Sequence, residues 1–242
     1  MIAAAHNHLT VLQYLLLQGV DKDEDNNEGV TASMMAAQNG HLSVVQYLAQ
    51  QGADMEKMTN NGRYTVLGVA AEEGQLSVLR FLVQQGADKE KPNRTGQTLL
   101  HLAASMNQLP VLQYLVGELR VDKEKVTIVG STPLNMAAAG GHLSAVQYLV
   151  QQGADIHHTN NDGCSSLFLG AQGGHLPVVR FLLQQGANKD QKASNVSPLH
   201  IAAADGHLSV LQYLLEQGAD KESLGRDEQV LYQLFSKTPF FS

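Results

Sequence analysis

The residue types able to do chemistry recur in this chain at a fixed interval. Ten histidines invite a metal reading, and the strongest place for it is the column His8, His41, Gln75, Gln108, His142, His175 and His207. Glutamine replaces histidine twice within that column. A carboxamide replaces the hydrogen bond of an imidazole but is a poor transition-metal ligand, so the column reads as a structural hydrogen bond holding the turn between two helices. His101 and His200 share a position that other copies fill with Met34, Gly68, Asn135 and Phe168, which again points to structure. His157 and His158 are neighbours in a loop, where adjacent side chains rarely converge on one ion. Cys164 as a nucleophile would need a base and an orienting group beside it, and its place in a turn predicts an unreactive thiol at the surface or half-buried. The carboxylates of Glu72 and Glu73 point about 100° apart on a helix and imply no acid–base pair, only a solvated face. Glycines recur at helix ends rather than in a phosphate loop. No catalytic residue, metal ligand or cofactor is expected.

Composition narrows the classes further. The 242 residues are 43% hydrophobic, enough for a continuous core. Lys plus Arg is 16 and Asp plus Glu is 23, a formal charge of −7, and the charged fraction of 16% lies below the usual value of about a quarter. Scattered cations cannot build the basic face that phosphate neutralisation needs, and with no Trp and 5% aromatics there is no stacking platform. Nucleic acid is therefore not an expected partner. No apolar run reaches the roughly 18 to 20 residues of a membrane span, and MIAAAHNHLT lacks the pattern of a signal peptide. The single cysteine excludes an internal disulfide and a multi-cysteine zinc site. A soluble protein of a reducing, cytoplasmic compartment is the expectation.

The elements that position these residues follow from spacing. The series Asp21, Asp54, Asp88, Asp122, Asp155, Asn188 and Asp220 has intervals of 33, 34, 34, 33, 33 and 32, in step with segments such as HLSVVQYLA from His41 and HLSVLQYLL from His207. Such a period means stacked repeats. Each unit divides into two helices. The first is predicted to open at Thr31, Thr65, Thr98, Thr132, Ser166 and Ser197, and to close at Gly40, Gly74, Asn107, Gly141, Gly174 and Gly206. The second carries apolar residues at i, i+3 and i+4 and stops at Gly52, Gly86, Gly153, Gly186 and Gly218. Pairs of small residues, Ala36-Ala37 to Ala202-Ala203, allow close approach of first helices. Tyr14, Tyr47, Phe81, Tyr114, Tyr148, Phe181 and Tyr213 are expected to fill space along the second helices and to bend the stack, leaving a concave side lined by the first.

The segments STPLNMAAAGGHLSAVQYLVQQGAD (131–155) and VSPLHIAAADGHLSVLQYLLEQGAD (196–220) resemble ankyrin repeats, and the likeness covers residues 1–223. The resemblance implies an all-α solenoid of about seven helix-turn-helix repeats with β-hairpin fingers, acting as a protein-binding surface without catalysis. The expected division is a partial repeat at 1–24, repeats at 25–57, 58–91, 92–125, 126–158, 159–191 and 192–223, and a degenerate capping helix and tail at 224–242. The first unit lacks its finger, which suggests an excised boundary and weak self-association through an uncapped N-terminal edge. Repeat 58–91 has one extra residue beside Gly62, and repeat 92–125 ends in VGELRVD rather than QQGAD. Extra loop residues cost little entropy and need not mean function.

If the framework is common to all copies, a partner is read where the copies differ while remaining exposed. Those positions are the finger tips and the last turn of each first helix. Tyr64, Met106, Ile128 and Val129 supply apolar bulk where other copies are small or polar, and Arg63, Glu72, Glu73 and Arg94 surround them with charge, with Gln97 and Ser105 between. An apolar centre with a charged rim is the anatomy of a protein interface. The expected partner is an extended or helical protein segment with a basic and an apolar anchor, held by repeats 58–91, 92–125 and 126–158. Two plainer readings compete: Ile128 and Val129 pack only within the fingers, or the chain is a spacer within a larger protein, without a ligand of its own. The loop tails DKDE, DMEK, DKEK and their equivalents are expected to form a row of acids (Asp23, Glu56, Glu90, Glu124, Asp190, Glu222) beside a row of lysines (Lys22, Lys89, Lys123, Lys189, Lys221). Surface ion pairs of this kind are worth up to about 1 kcal/mol each.

Overall fold

After the partial repeat 1–24, the first helices begin at a hydroxyl that turns back on its own N–H groups. In the computed structural model, which describes residues 1–220, the N–H groups of Met34, Gly68, Asn135, Phe168 and His200 donate to the side-chain oxygens of Thr31, Thr65, Thr132, Ser165 and Ser197 at 3.2–3.3 Å. The cap of the helix that carries Phe168 is thus Ser165, one residue before the expected Ser166. Ser165 has the extended backbone a cap requires (ψ 168°), while Ser166 is already helical and receives the Asn135 carboxamide at 3.0 Å. The expected capping helix and tail at 224–242, and Lys221 and Glu222, lie outside the described residues.

The described chain forms two compact units, Met1–Ile128 and the residues from Val129 onward. The first unit holds α1 (Ile2–Ala5), α2 (Leu9–Leu17), α3 (Ala32–Gln38), α4 (Leu42–Gln50), α5 (Val66–Glu72), α6 (Leu76–Gln84), α7 (Leu99–Ser105) and α8 (Leu109–Leu112). Helices α1, α3, α5 and α7 pack side by side in a row, and α4 packs on α6. The second unit holds α9 (Pro133–Ala139), α10 (Leu143–Gln151), α11 (Ser166–Gln172), α12 (Leu176–Gln184), α13 (Pro198–Ala204) and α14 (Leu208–Glu216), with α11 between α9 and α13 and α12 between α10 and α14.

Small residues set the spacing of the first helices. Ala36, Ala37, Ala70, Ala71, Ala103, Ala104, Ala137 and Ala138 have no exposed surface. The second layer is filled by aliphatic residues, Val44, Leu48, Val78, Leu79 and Leu112 in one unit and Val146, Leu149, Val178 and Leu182 in the other, all buried. Each such Leu stabilises by about 1.5–3 kcal/mol, so stacking outweighs any single cap or ion pair. The aromatic column has a smaller part than expected. Tyr114 is buried, Tyr47, Phe81, Tyr148, Phe181 and Tyr213 are half-buried, and Tyr14 is exposed. These rings lie at the margin of the layer, where Arg80 and Arg180 stack on Tyr114 and Tyr213 at 4.1 and 4.7 Å.

The fingers are tight loops. Isolated bridges join Asp25 to Thr31, Thr159 to Ser165 and Ala193 to Val196, and the described residues form no sheet. Successive fingers are tied by backbone bonds, Asn60 N–H to the Glu28 carbonyl, Arg94 N–H to Gly62 and Ile128 N–H to Thr95 in the first unit, and Asn161 N–H to Val129 in the second. The lysines that cross between loop tails are Lys57 to Asp25 (2.8 Å), Lys91 to Glu56 (3.0 Å) and Lys125 to Glu90 (2.7 Å). They stand two residues after the expected lysine row, of which Lys22 and Lys189 pair only with the adjacent Asp23 and Asp190. The departure VGELRVD is absorbed by a π-helical turn over Gln113–Glu118 that continues α8. Glu118 pairs there with Arg80, and Arg120 takes the left-handed conformation (φ 53°).

Two glycines separate backbone strain from packing. Gly74 and Gly52 both have φ near 72°, but a Cβ on Gly74 would overlap the Gln108 carboxamide, whereas Gly52 faces open space. Gly52→Ala is expected to cost about 1 kcal/mol, the left-handed penalty alone. Gly74→Ala should cost at least twice as much in urea unfolding, and equal losses would show that the Gln108 contact contributes nothing.

Candidate functional site

The histidine and glutamine column does not hold the turn inside one helix pair. It reaches back to the preceding pair. His41 Nε2 lies 2.9 Å from the Ala5 carbonyl, and the Gln75 and Gln108 carboxamides donate to the Gln38 and Glu72 carbonyls at 2.9 Å. In the second unit His175 and His207 meet the Ala139 and Gln172 carbonyls at 3.0 and 2.8 Å. A carbonyl only accepts, so each imidazole presents Nε2–H, which a carboxamide N–H imitates and a metal would displace. His101 and His200 close caps through Nδ1, 2.9 Å from the Thr98 hydroxyl and 2.7 Å from that of Ser197. His158 bonds the Gly130 carbonyl at 2.8 Å. The described residues contain no cluster of three metal-ligating side chains. Cys164 is half-buried, and burial together with Asp162 pushes its thiol up, away from the thiolate that nucleophilic chemistry needs.

The extra residue of repeat 58–91 has a definite place. Fingers 26–30, 93–97 and 160–164 close with a backbone bond over five residues, whereas Thr59 N–H bonds the Tyr64 carbonyl and encloses six. The longer loop brings Tyr64 down on α5. Its phenol donates to Glu72 at 2.8 Å, and the Arg63 guanidinium lies 4.9 Å from the ring centre and 3.4 Å from the same carboxylate. Glu72 is therefore an enclosed partner of two groups, its side chain 14% exposed, and not the solvated residue expected. Burial and Glu72 push the Tyr64 phenol well up, so it stays a donor throughout the neutral range. Glu73 is exposed and accepts from Gln38 at 3.4 Å.

Between fingers 26–30 and 59–64 and helices α3 and α5 this arrangement leaves a cleft of about 580 Å³. Its lining joins carboxylates, amides and a hydroxyl (Glu28, Gln38, Glu72 and Glu73, with Asn26, Thr59, Asn60 and Asn61) to apolar side chains (Val30, Met34, Met35, Tyr64, Val69). Of the ten residues expected at a site, three line the cleft, Tyr64, Glu72 and Glu73, and a fourth, Arg63, bonds Glu72 from outside the lining. Arg63, Tyr64 and Glu72 bond one another, and Glu73 joins them through the cleft wall. Arg94 instead serves the framework, its guanidinium bonding the Asn60 carbonyl at 3.3 Å while its stem packs over Gly62. Gln97 accepts from Asn93 within its own finger, and Ser105 bonds back to the Leu102 carbonyl. Met106 and Ile128 are 48% and 68% exposed on the same unit. Val129, 52% exposed, belongs to the second unit.

The family model for ankyrin repeats (3 copies) matches residues 1–93, 89–160 and 134–224. The chain belongs to the ankyrin-repeat family. No match was found among curated proteins. Ankyrin repeats are generally protein-interaction modules and typically non-enzymatic. No helix among the described residues is long and apolar enough to cross a membrane. Glu28 and Gln38 stand at a finger tip and in the last turn of a first helix, the positions from which a partner is expected to be read, whereas Met34 and Met35 lie outside those positions. Met34 shares its position with Gly68, His101, Asn135, Phe168 and His200, and at 1% exposure it still floors the cleft.

Two sets of variants check this geometry. Tyr64→Phe is expected to cost about 1 kcal/mol at pH 7, the hydrogen bond to Glu72. The folded phenol titrates above the unfolded one, so this contribution is whole below about pH 10 and declines above it. Urea titrations of wild type and variant at pH 7 and pH 10.5 should therefore converge. For the strap, His175→Gln should leave stability within about 0.5 kcal/mol while His175→Ala loses about 1 kcal/mol, and zinc should move neither midpoint.

Proposed function

We propose that the chain is a non-enzymatic binding module that takes a protein or peptide segment along the first-helix and finger surface of the unit Met1–Ile128. The observation that carries this reading is the cleft of about 580 Å³ beside α3 and α5, the size of a pre-formed ligand site, with apolar residues below and carboxylates at its rim. Glu73, Met106 and Ile128 would touch the partner directly. Arg63, Tyr64 and Glu72 would form the wall that shapes it, and Arg94, Gln97 and Ser105 would hold fingers and helix end in place. Val129 would offer a separate apolar contact on the second unit. The framework is read as about seven repeats, with the boundaries given above. Weak self-association is part of the same reading, since Ile2, Val11, Tyr14 and Leu17 stand exposed at one edge of the first unit, 78%, 49%, 62% and 80% respectively.

Affinity capture from a cell lysate, run in parallel with wild type and the triple variant Tyr64→Ala, Met106→Ala, Ile128→Ser, tests the placement. A partner recovered at least tenfold more with wild type is expected. The same proteins recovered with both would leave this surface idle and favour a spacer.

A further inference from the structure

The cleft beside α3 and α5 is unbalanced in charge. Three carboxylates line it, Glu28, Glu72 and Glu73, and no Lys, Arg or His does so among the described residues. Glu72 is already committed, to the Tyr64 phenol and to Arg63. Glu73 meets the neutral Gln38 carboxamide, and among the described residues no cation stands within ion-pair distance of Glu28 or Glu73. One N–H of the Gln38 carboxamide goes to Glu73, and its side-chain oxygen is an acceptor on the cleft wall. Of the other polar residues in the lining, Asn60 donates to the Asn27 carbonyl and Thr59 to the Asn61 carboxamide, so among the described residues the lining is acidic and holds no cationic donor. Beneath it lie Met34 and Met35, unbranched side chains that adapt to the shape above them.

We propose that this cleft is the subsite for an arginine side chain of the bound segment, followed by an apolar residue. The inference rests on the protein-binding reading above and deepens it by naming the anchor. A guanidinium carries five N–H donors and no acceptor, the complement of Glu28, Glu73 and the Gln38 carbonyl. Its aliphatic stem is the part that lies on Met34 and Met35 while the charge stays at the carboxylate rim. Arg63 does not compete for the place, because it is held over the Tyr64 ring and against Glu72. Acidic segments are repelled by the same two carboxylates, so the cleft discriminates by sign as well as by shape.

The test uses the full chain and two pools of fluorescein-labelled nonapeptides, one with a central Arg-Leu and one with citrulline-Leu, which keeps the shape of arginine and removes its charge. Fluorescence polarisation should show the arginine pool binding at least tenfold more tightly than the citrulline pool, and the gap should close in the double variant Glu28→Gln, Glu73→Gln. Thermal unfolding of that variant, unchanged from wild type, confirms that it folds. Equal binding of both pools to wild type would overturn the cationic anchor and leave peptide binding standing. A gap that survives in the double variant would also overturn it, since the charge would then be read elsewhere. If neither pool binds while the triple variant still loses its captured partner, the subsite fails and the wider surface reading holds.

Discussion

The structure depends on one constraint: a helix of seven residues cannot hold itself together in water. Isolated helices shorter than about 12–15 residues are marginal even in favourable sequences, and α3, α5, α7, α9, α11 and α13 each have seven. Their stability must come from neighbours. Pairs of alanine bring the first helices close enough to bury one another completely, and the imidazole or carboxamide of the next pair caps a carbonyl at the end of the preceding helix. Burial and hydrogen bonding thus both run between repeats. Gly40, Gly74, Gly141 and Gly174 at four of these helix ends serve both, since each turns the chain in the left-handed region and leaves room for the side chain that arrives from the next repeat.

Once the framework is held by its buried face, the exposed face is free to vary at little cost. The one-residue extension of finger 59–64 illustrates this. Added to a surface loop it costs little entropy, yet it carries Tyr64 onto Glu72 and creates a wall that the five-residue fingers do not build. The π-helical turn at Gln113–Glu118 answers a second length change in the other layer, and there Arg80, Tyr114 and Glu118 close over the added residue. The two extensions differ in what they leave behind. The finger encloses a cleft lined by uncompensated carboxylates, whereas the turn pairs its charges with one another.

Much of the framework was legible because it is periodic. Caps, helix ends and the small-residue pairs recur in register, and their physical roles follow from residue type alone. What was misread shares a cause. The histidine column was assigned to its own turn, the cap to Ser166 instead of Ser165, the ladder to Lys89 and Lys123 instead of Lys91 and Lys125, and the second layer to its aromatics instead of its valines and leucines. In each case the residue class was right. The error lay in which neighbour it meets, and a neighbour one repeat away in the stack is some 33 residues away in the chain. The candidate site suffers most from this, since Glu72 and Arg94 look alike in sequence as exposed charges, although one is enclosed by Tyr64 and Arg63 and the other pins two fingers together.

By itself, then, the sequence determined the repeat, the family and the residue class of most framework positions. These are properties of local spacing, and hydrophobic period, capping residues and helix-ending glycines act within a single repeat. The tertiary structure alone decided which polar groups are spent on each other and which remain for a ligand. That division depends on where side chains meet in space, Tyr64 with Glu72 across a lengthened finger of one repeat and Gln38 with Glu73 between successive repeats, and spacing along the chain carries no record of either.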